Sequence, residues 1–224
     1  MTLGKKVLGL VAVLAVVALA PAANASVCAS TTDCTFTFNT TSVGAFGAGP
    51  YGTVRLQLSG TFINFTVDLA DGFHLIDTGA HEAFAFDNTF SPATVTMTLF
   101  SDAAYSQGAG NSTNPPFSTF EDNVVSTCTN GGGCGVNVLT FQVSRVGGFT
   151  DVNQLVELST GAGTAAYFAA DVSCFPTCPG STANGNTGAI GATGPGVSTV
   201  PEPITSGLVG TGLVSLFFLR RKKA

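Results

Sequence analysis

Short runs of alternating apolar and polar residues, each closed by a turn residue, constrain this chain more than any other feature. Val54, Leu56 and Leu58 alternate with Arg55, Gln57 and Ser59. Beyond Ser59-Gly60, Ile63, Phe65, Val67 and Leu69 alternate with Asn64, Thr66 and Asp68. A period of two sends every second side chain to the same face, which a strand does and a helix does not. The Ser-Gly break between the two runs predicts a hairpin. The same alternation recurs over Thr35–Phe38, Glu82–Phe86, Ala93–Leu99, Leu139–Val143 and Ala166–Val172. In Glu82–Phe86 it puts both phenylalanine rings on one side. About seven to nine short strands with one buried face each predict an all-β domain, an antiparallel β-sandwich of jelly-roll-like or immunoglobulin-like kind. Val152 to Leu158 reads either as a helix capped by Thr150-Asp151, with Val152, Leu155 and Val156 on one face, or as a strand, since Val and Leu are ambiguous over so short a run.

Both ends of the chain read differently. Lys5 and Lys6 precede an uncharged apolar run of 14 residues, Val7 to Ala20, and then Pro21 and the small residues Ala22-Ala23-Asn24-Ala25. That order predicts a signal peptide over 1–25, a leader helix cut after Ala25, with Ala23 and Ala25 fitting the signal peptidase. The run is shorter than the ~20 residues of a spanning helix. At the other end, Pro201-Glu202-Pro203 leads into the uncharged stretch Ile204–Leu219 and then Arg220-Arg221-Lys222-Lys223. A transmembrane helix over 204–219 would hold the basic cluster on the cytoplasmic side. At ~1.5 Å per residue it covers about 24 Å of a roughly 30 Å core, a marginal span.

The Pro-Glu-Pro tripeptide, the apolar segment and the terminal Arg/Lys cluster resemble the PEP-CTERM sorting signal of exported bacterial proteins. The resemblance covers residues 200–223. It implies recognition by an exosortase, cleavage near Pro201–Pro203, and retention in the cell envelope, at the cell surface, or release into an exopolysaccharide matrix.

With the ends set aside, the expected domain is residues 26–180. Residues 181–200, rich in Gly, Ser and Thr, are expected to be a tether or a last edge strand. Six of the eight basic residues lie in the two terminal segments. The exported part keeps Arg55 and Arg145 against thirteen acidic residues, so its net charge is −11. Such a surface repels nucleic acid, so no nucleic-acid partner is expected.

Six cysteines fall in close pairs: Cys28 and Cys34, Cys128 and Cys134, Cys174 and Cys178. An even count in an exported chain reads as disulfides, with local pairing expected. The densest polar stretch runs from Asp68 through Asp71, His74, Asp77, His81 and Glu82 to Asp87. Asp68, Asp71 and Asp77 are the candidate calcium ligands, though the stretch matches no EF-hand pattern. No catalytic residue and no cofactor is expected, since nucleophile elbows, H-E-x-x-H helices and phosphate loops are all missing from the sequence.

The expected function is a non-catalytic surface or exopolysaccharide-matrix protein, structural or adhesive, with signal peptidase, exosortase, membrane and extracellular polysaccharide as partners. A polysaccharide- or calcium-binding module is the alternative, and a small envelope hydrolase stands behind it.

Overall fold

A computed structural model describes residues 27–195, apart from 44–45, 80, 91–94, 130–133, 177 and 179–185. The expected leader over 1–25 and sorting tail over 201–224 lie outside the described residues. Among the described residues no helix is long and apolar enough to cross a membrane.

Fourteen strands are described. In chain order they are β1 (Asp33–Phe38), β2 (Thr40–Thr41), β3 (Gly52–Ser59), β4 (Phe62–Leu69), β5 (Phe73–Leu75), β6 (Phe84–Phe86) and β7 (Val95–Thr98). They continue with β8 (Tyr105–Gln107), β9 (Ser112–Thr113), β10 (Thr119–Phe120), β11 (Asp122–Ser126), β12 (Val138–Arg145), β13 (Phe168–Cys174) and β14 (Asn186–Ala192). Every ladder between them is antiparallel. One sheet has the order β1-β3-β4-β12-β7. The second has the order β2-β14-β13-β6-β11-β8, with β5 also paired to β13, and β9 and β10 form a small ribbon.

The period-two runs become strands because each has a face to bury. In β4, Ile63, Phe65 and Val67 are fully buried while Asp68 is exposed. The expected hairpin joins β3 to β4, and Gly60 takes the left-handed φ of 62° that its turn requires. Inward faces of the two sheets share one apolar core. Phe65 of the first sheet meets Phe84, Phe86 and Phe168 of the second at centroid distances of 6.0, 5.0 and 6.2 Å. It also stacks on its neighbour Phe141 at 4.9 Å.

The second sheet is covered on its other face as well. Ala85, Ala166, Ala169 and Ala189 pack there against Phe117 and Phe120, which belong to the arm carrying β9 and β10. All seven residues of β13 are therefore buried. Small residues permit this closeness: a Cβ on Gly191 would stand 2.3 Å from the Phe117 ring.

Two expectations need correction. The helix over Val152–Leu158 is a single 3-10 turn, Val152–Leu155, and Val156 already leaves helical geometry. Its cap is as expected in kind: Asp151 accepts from the Asn153 N–H, and Gln154 reaches back to the Asp151 N–H. Leu99 was placed on the buried face of the strand with Val95 and Met97. It has φ 55° and is 73% exposed, because the left-handed residue ends β7 and turns the side chain out. Of the alternatives for 181–200, residues Asn186–Ala192 take the strand: β14 is the last strand described, between β13 and the two-residue β2.

The cysteines pair locally, as Cys28–Cys34, Cys128–Cys134 and Cys174–Cys178. At the outer side of β7, the Gln107 side chain takes the place of a neighbouring strand. Its Oε1 accepts from the Met97 N–H at 2.9 Å, and its Nε2 donates to the Val95 carbonyl at 3.1 Å.

Candidate functional site

The three calcium candidates do not converge. Asp68 is exposed on β4 and Asp71 is exposed in the turn that follows. Asp77 is half-buried, with its Oδ2 accepting from the Ser126 N–H at 3.0 Å. Among the described residues no group of three or more His, Cys, Asp or Glu side chains is placed to hold a metal ion.

Two other polar clusters are held inside the fold. The first centres on Asp171, which is completely buried on the outer face of β13 beneath the β9–β10 arm. Its Oδ2 accepts from the Thr78 N–H at 2.7 Å and from the Thr78 hydroxyl. Its Oδ1 has no hydrogen-bond partner and faces His81 Nδ1 at 3.8 Å. Burial pushes the Asp171 carboxyl above the usual range, and the two Thr78 bonds pull it partly back. His81 Nε2 lies 3.1 Å from the Pro115 carbonyl. A carbonyl only accepts, so Nε2 carries the proton and Nδ1 is the nitrogen turned to Asp171. Asn114 next to Pro115 pairs with the backbone of Glu82, its Oδ1 accepting from N–H at 2.7 Å and its Nδ2 donating to C=O at 3.0 Å. This cluster therefore fastens the covering arm to the sheet. Beside it, Ser173 faces His74 across the β13–β5 ladder, and both the Ser173 hydroxyl and His74 Nδ1 are buried without a partner.

The second cluster gathers acids from three separate segments. Asp87 follows β6, Glu121 lies between β10 and β11, Asp122 opens β11, and Glu157 follows the 3-10 turn and bridges to Asp87 through the backbone. Asp87, Asn88 and Asp122 are 3%, 2% and 3% exposed. The Glu121 N–H donates to Asp87 Oδ1, while Asp87 Oδ2 has no partner. Asn88 Nδ2 donates to Asp122 Oδ2 at 2.7 Å and reaches Glu121 Oε2 at 3.4 Å, so one amide serves two carboxylates. Burial lifts both Asp87 and Asp122 to about 6, and the neighbouring acids add to the rise. Glu121 is raised for the same reasons. A cavity of about 270 Å³ lies alongside, bounded by Gln107, Gly108, Gly110, Asn111, Glu121 and Asp122.

Sequence reasoning had Asp87 at the end of its polar stretch but missed Asp122, Glu121, Glu157 and Asp171. Two Asp-Asn pairs at strand ends, Asp87-Asn88 and Asp122-Asn123, are the signal that was present.

No family model, no curated protein and no solved structure matches this chain.

Proposed function

We propose that the chain is an exported, non-catalytic protein of the cell surface or of an exopolysaccharide matrix, delivered by an exosortase-type sorting tail. The observation that carries this reading is the tail itself: Pro201-Glu202-Pro203, the apolar stretch 204–219 and Arg220–Lys223 in that order, matched by a leader over 1–25. The six cysteines, all in disulfides, suit the oxidising compartment such a chain would enter. The two sheets facing each other over one core are read as a sandwich, a fold in which binding and display are supplied by faces and loops. The non-catalytic reading is supported by the Asp171–His81 pair. Its outward nitrogen is taken up by the Pro115 carbonyl, so it turns no free ring nitrogen to a substrate.

The test follows an epitope-tagged full chain in a bacterium that carries an exosortase. Replacing Pro201-Glu202-Pro203 with alanines is expected to leave a longer, membrane-bound precursor, as is deletion of the exosortase. An unchanged mature mass and surface location in the deletion strain would remove the sorting reading and leave a plain tail anchor.

A further inference from the structure

We propose that His81 and Asp171 form a proton-operated latch, closed when a proton lies between them, that holds the β9–β10 arm against the second sheet. The latch goes beyond the sorting reading and does not depend on it.

Asp171 is fully buried, and its two oxygens are unequally served. Oδ2 accepts from both the N–H and the hydroxyl of Thr78, while Oδ1 accepts from nothing. A buried carboxylate oxygen without a donor costs free energy. Facing it at 3.8 Å is His81 Nδ1. In the neutral ring that nitrogen has no proton to give, because Nε2 holds it against the Pro115 carbonyl at 3.1 Å. Two acceptors then confront each other.

A second proton on the ring removes the conflict. Nδ1 becomes a donor to Asp171 Oδ1, and Nε2 keeps its bond to Pro115. The charged ring then bridges the sheet, through Asp171 of β13, and the arm, through Pro115 between β9 and β10. The His81 side chain is 24% exposed, so its proton exchanges with solvent.

The surroundings leave this pair in control. The charges acting on Asp171 are those of His81 and Asp77, and Asp77 favours the protonated pair. Glu82 adjoins His81 in the chain, and His74 of β5 lies across the ladder from Ser173. Neither β6 nor β14 carries a titratable side chain, and the arm has none from Ala109 to Phe120. Glu121, beyond the far end of the arm, meets Asp87 instead.

The sign follows from the geometry. With the arm open the Pro115 bond is gone and the ring turns freely, so the proton is held more tightly when the arm is closed. Closure is therefore favoured below the pH at which the pair releases its proton, and that contribution is lost above it. Histidine changes charge between about pH 5 and 8, which sets the window.

The experiment is hydrogen-exchange mass spectrometry on the full chain in nonionic detergent, at pH 5.5 and at pH 8. Rates are expressed as protection relative to the unstructured chain at each pH. Protection of peptides covering 111–120 is expected to fall about tenfold between the two, the worth of one charge-assisted bond, while peptides from β4 keep theirs. Asp171→Asn keeps an oxygen for Thr78 and turns an amide N–H to Nδ1, so its arm is expected to stay equally protected at both pH values. Should that variant fail to fold, His81→Ala, at a partly exposed position, is expected to leave the arm poorly protected and insensitive to pH. Unchanged arm protection in the parent would overturn the proposal. So would an equal fall in β4, or a pH response that persists in His81→Ala, which would place its origin at Asp87 and Glu121.

Discussion

Phe65 is where the two sheets are most directly held together, and its removal gives the sharpest test of the fold. The ring is fully buried and touches Phe84, Phe86, Phe141 and Phe168, which come from both sheets. Truncating a buried Phe to Ala costs about 3–5 kcal/mol, from lost transfer free energy plus the cavity left behind. A cage of rings on rigid strands collapses poorly, so Phe65→Ala belongs near the middle or top of that range, at about 4 kcal/mol. A domain of this size has roughly 5–15 kcal/mol in total, so the variant would survive with a visibly lower midpoint. With a urea slope of about 2 kcal/mol/M, the midpoint falls by ~2 M at unchanged slope. The chain has no Trp and three Tyr, so far-UV circular dichroism is the suitable probe. Two controls sharpen the reading. Phe62 on the same strand is 41% exposed, and Phe62→Ala should cost less than about 1 kcal/mol. Phe141 stacks on Phe65 with an interplanar angle of 10°, so the double variant should show a coupling of about 1 kcal/mol. A loss under about 1 kcal/mol for Phe65→Ala, or an equal loss for Phe62→Ala, would refute the shared core.

Two further expectations rest on the same structure. Stability should fall as pH rises from about 4 through about 6: Asp87 and Asp122 hold protons in the folded state, at about 6, that they release near 3.8 when unfolded. The contribution is fully present below the unfolded value and lost above the folded one, at up to ~3 kcal/mol per group. Urea midpoints across that range, parent against Asp122→Asn, check it, and parallel curves would count against the burial of these acids. Gly191→Ala should destabilise by about 1–3 kcal/mol, because its Cβ would stand 2.3 Å from the Phe117 ring, and Phe117→Ala in the same chain should recover part of that loss. A neutral Gly191→Ala would mean that the arm does not cover the second sheet.

Alternation made the first sheet readable from its residues. In β3, β4 and β12 one face is buried and the other meets water, so apolar and polar positions separate cleanly. The second sheet was harder for a physical reason. With both of its faces covered, the outer positions of β13 are Ala169, Asp171 and Ser173, small or polar enough to look like a solvent face. Ala169 is covered by an arm some fifty residues earlier and Asp171 is met by Thr78 and His81, and period-two patterning carries no information about such partners. The segment of β14 read equally as a tether or a last edge strand, because closeness to Val43 and Phe117 demands glycine at 188 and 191. The capped turn after Asp151 was legible at its start, where capping is local, and not at its end, where Glu157 is drawn to Asp87. The acid cluster was invisible for the same reason: residues 87, 121, 122 and 157 meet only through the ladders β6–β11 and the Asp87–Glu157 bridge.

The amide of Gln107 has a consequence for how this edge of the first sheet meets other chains. Strands with open backbone groups recruit identical strands, and crowding on a surface raises the local concentration that drives such growth. On β7 the Met97 N–H and the Val95 carbonyl are already occupied by one side chain. An arriving strand therefore finds no free pair of backbone groups at Val95 and Met97.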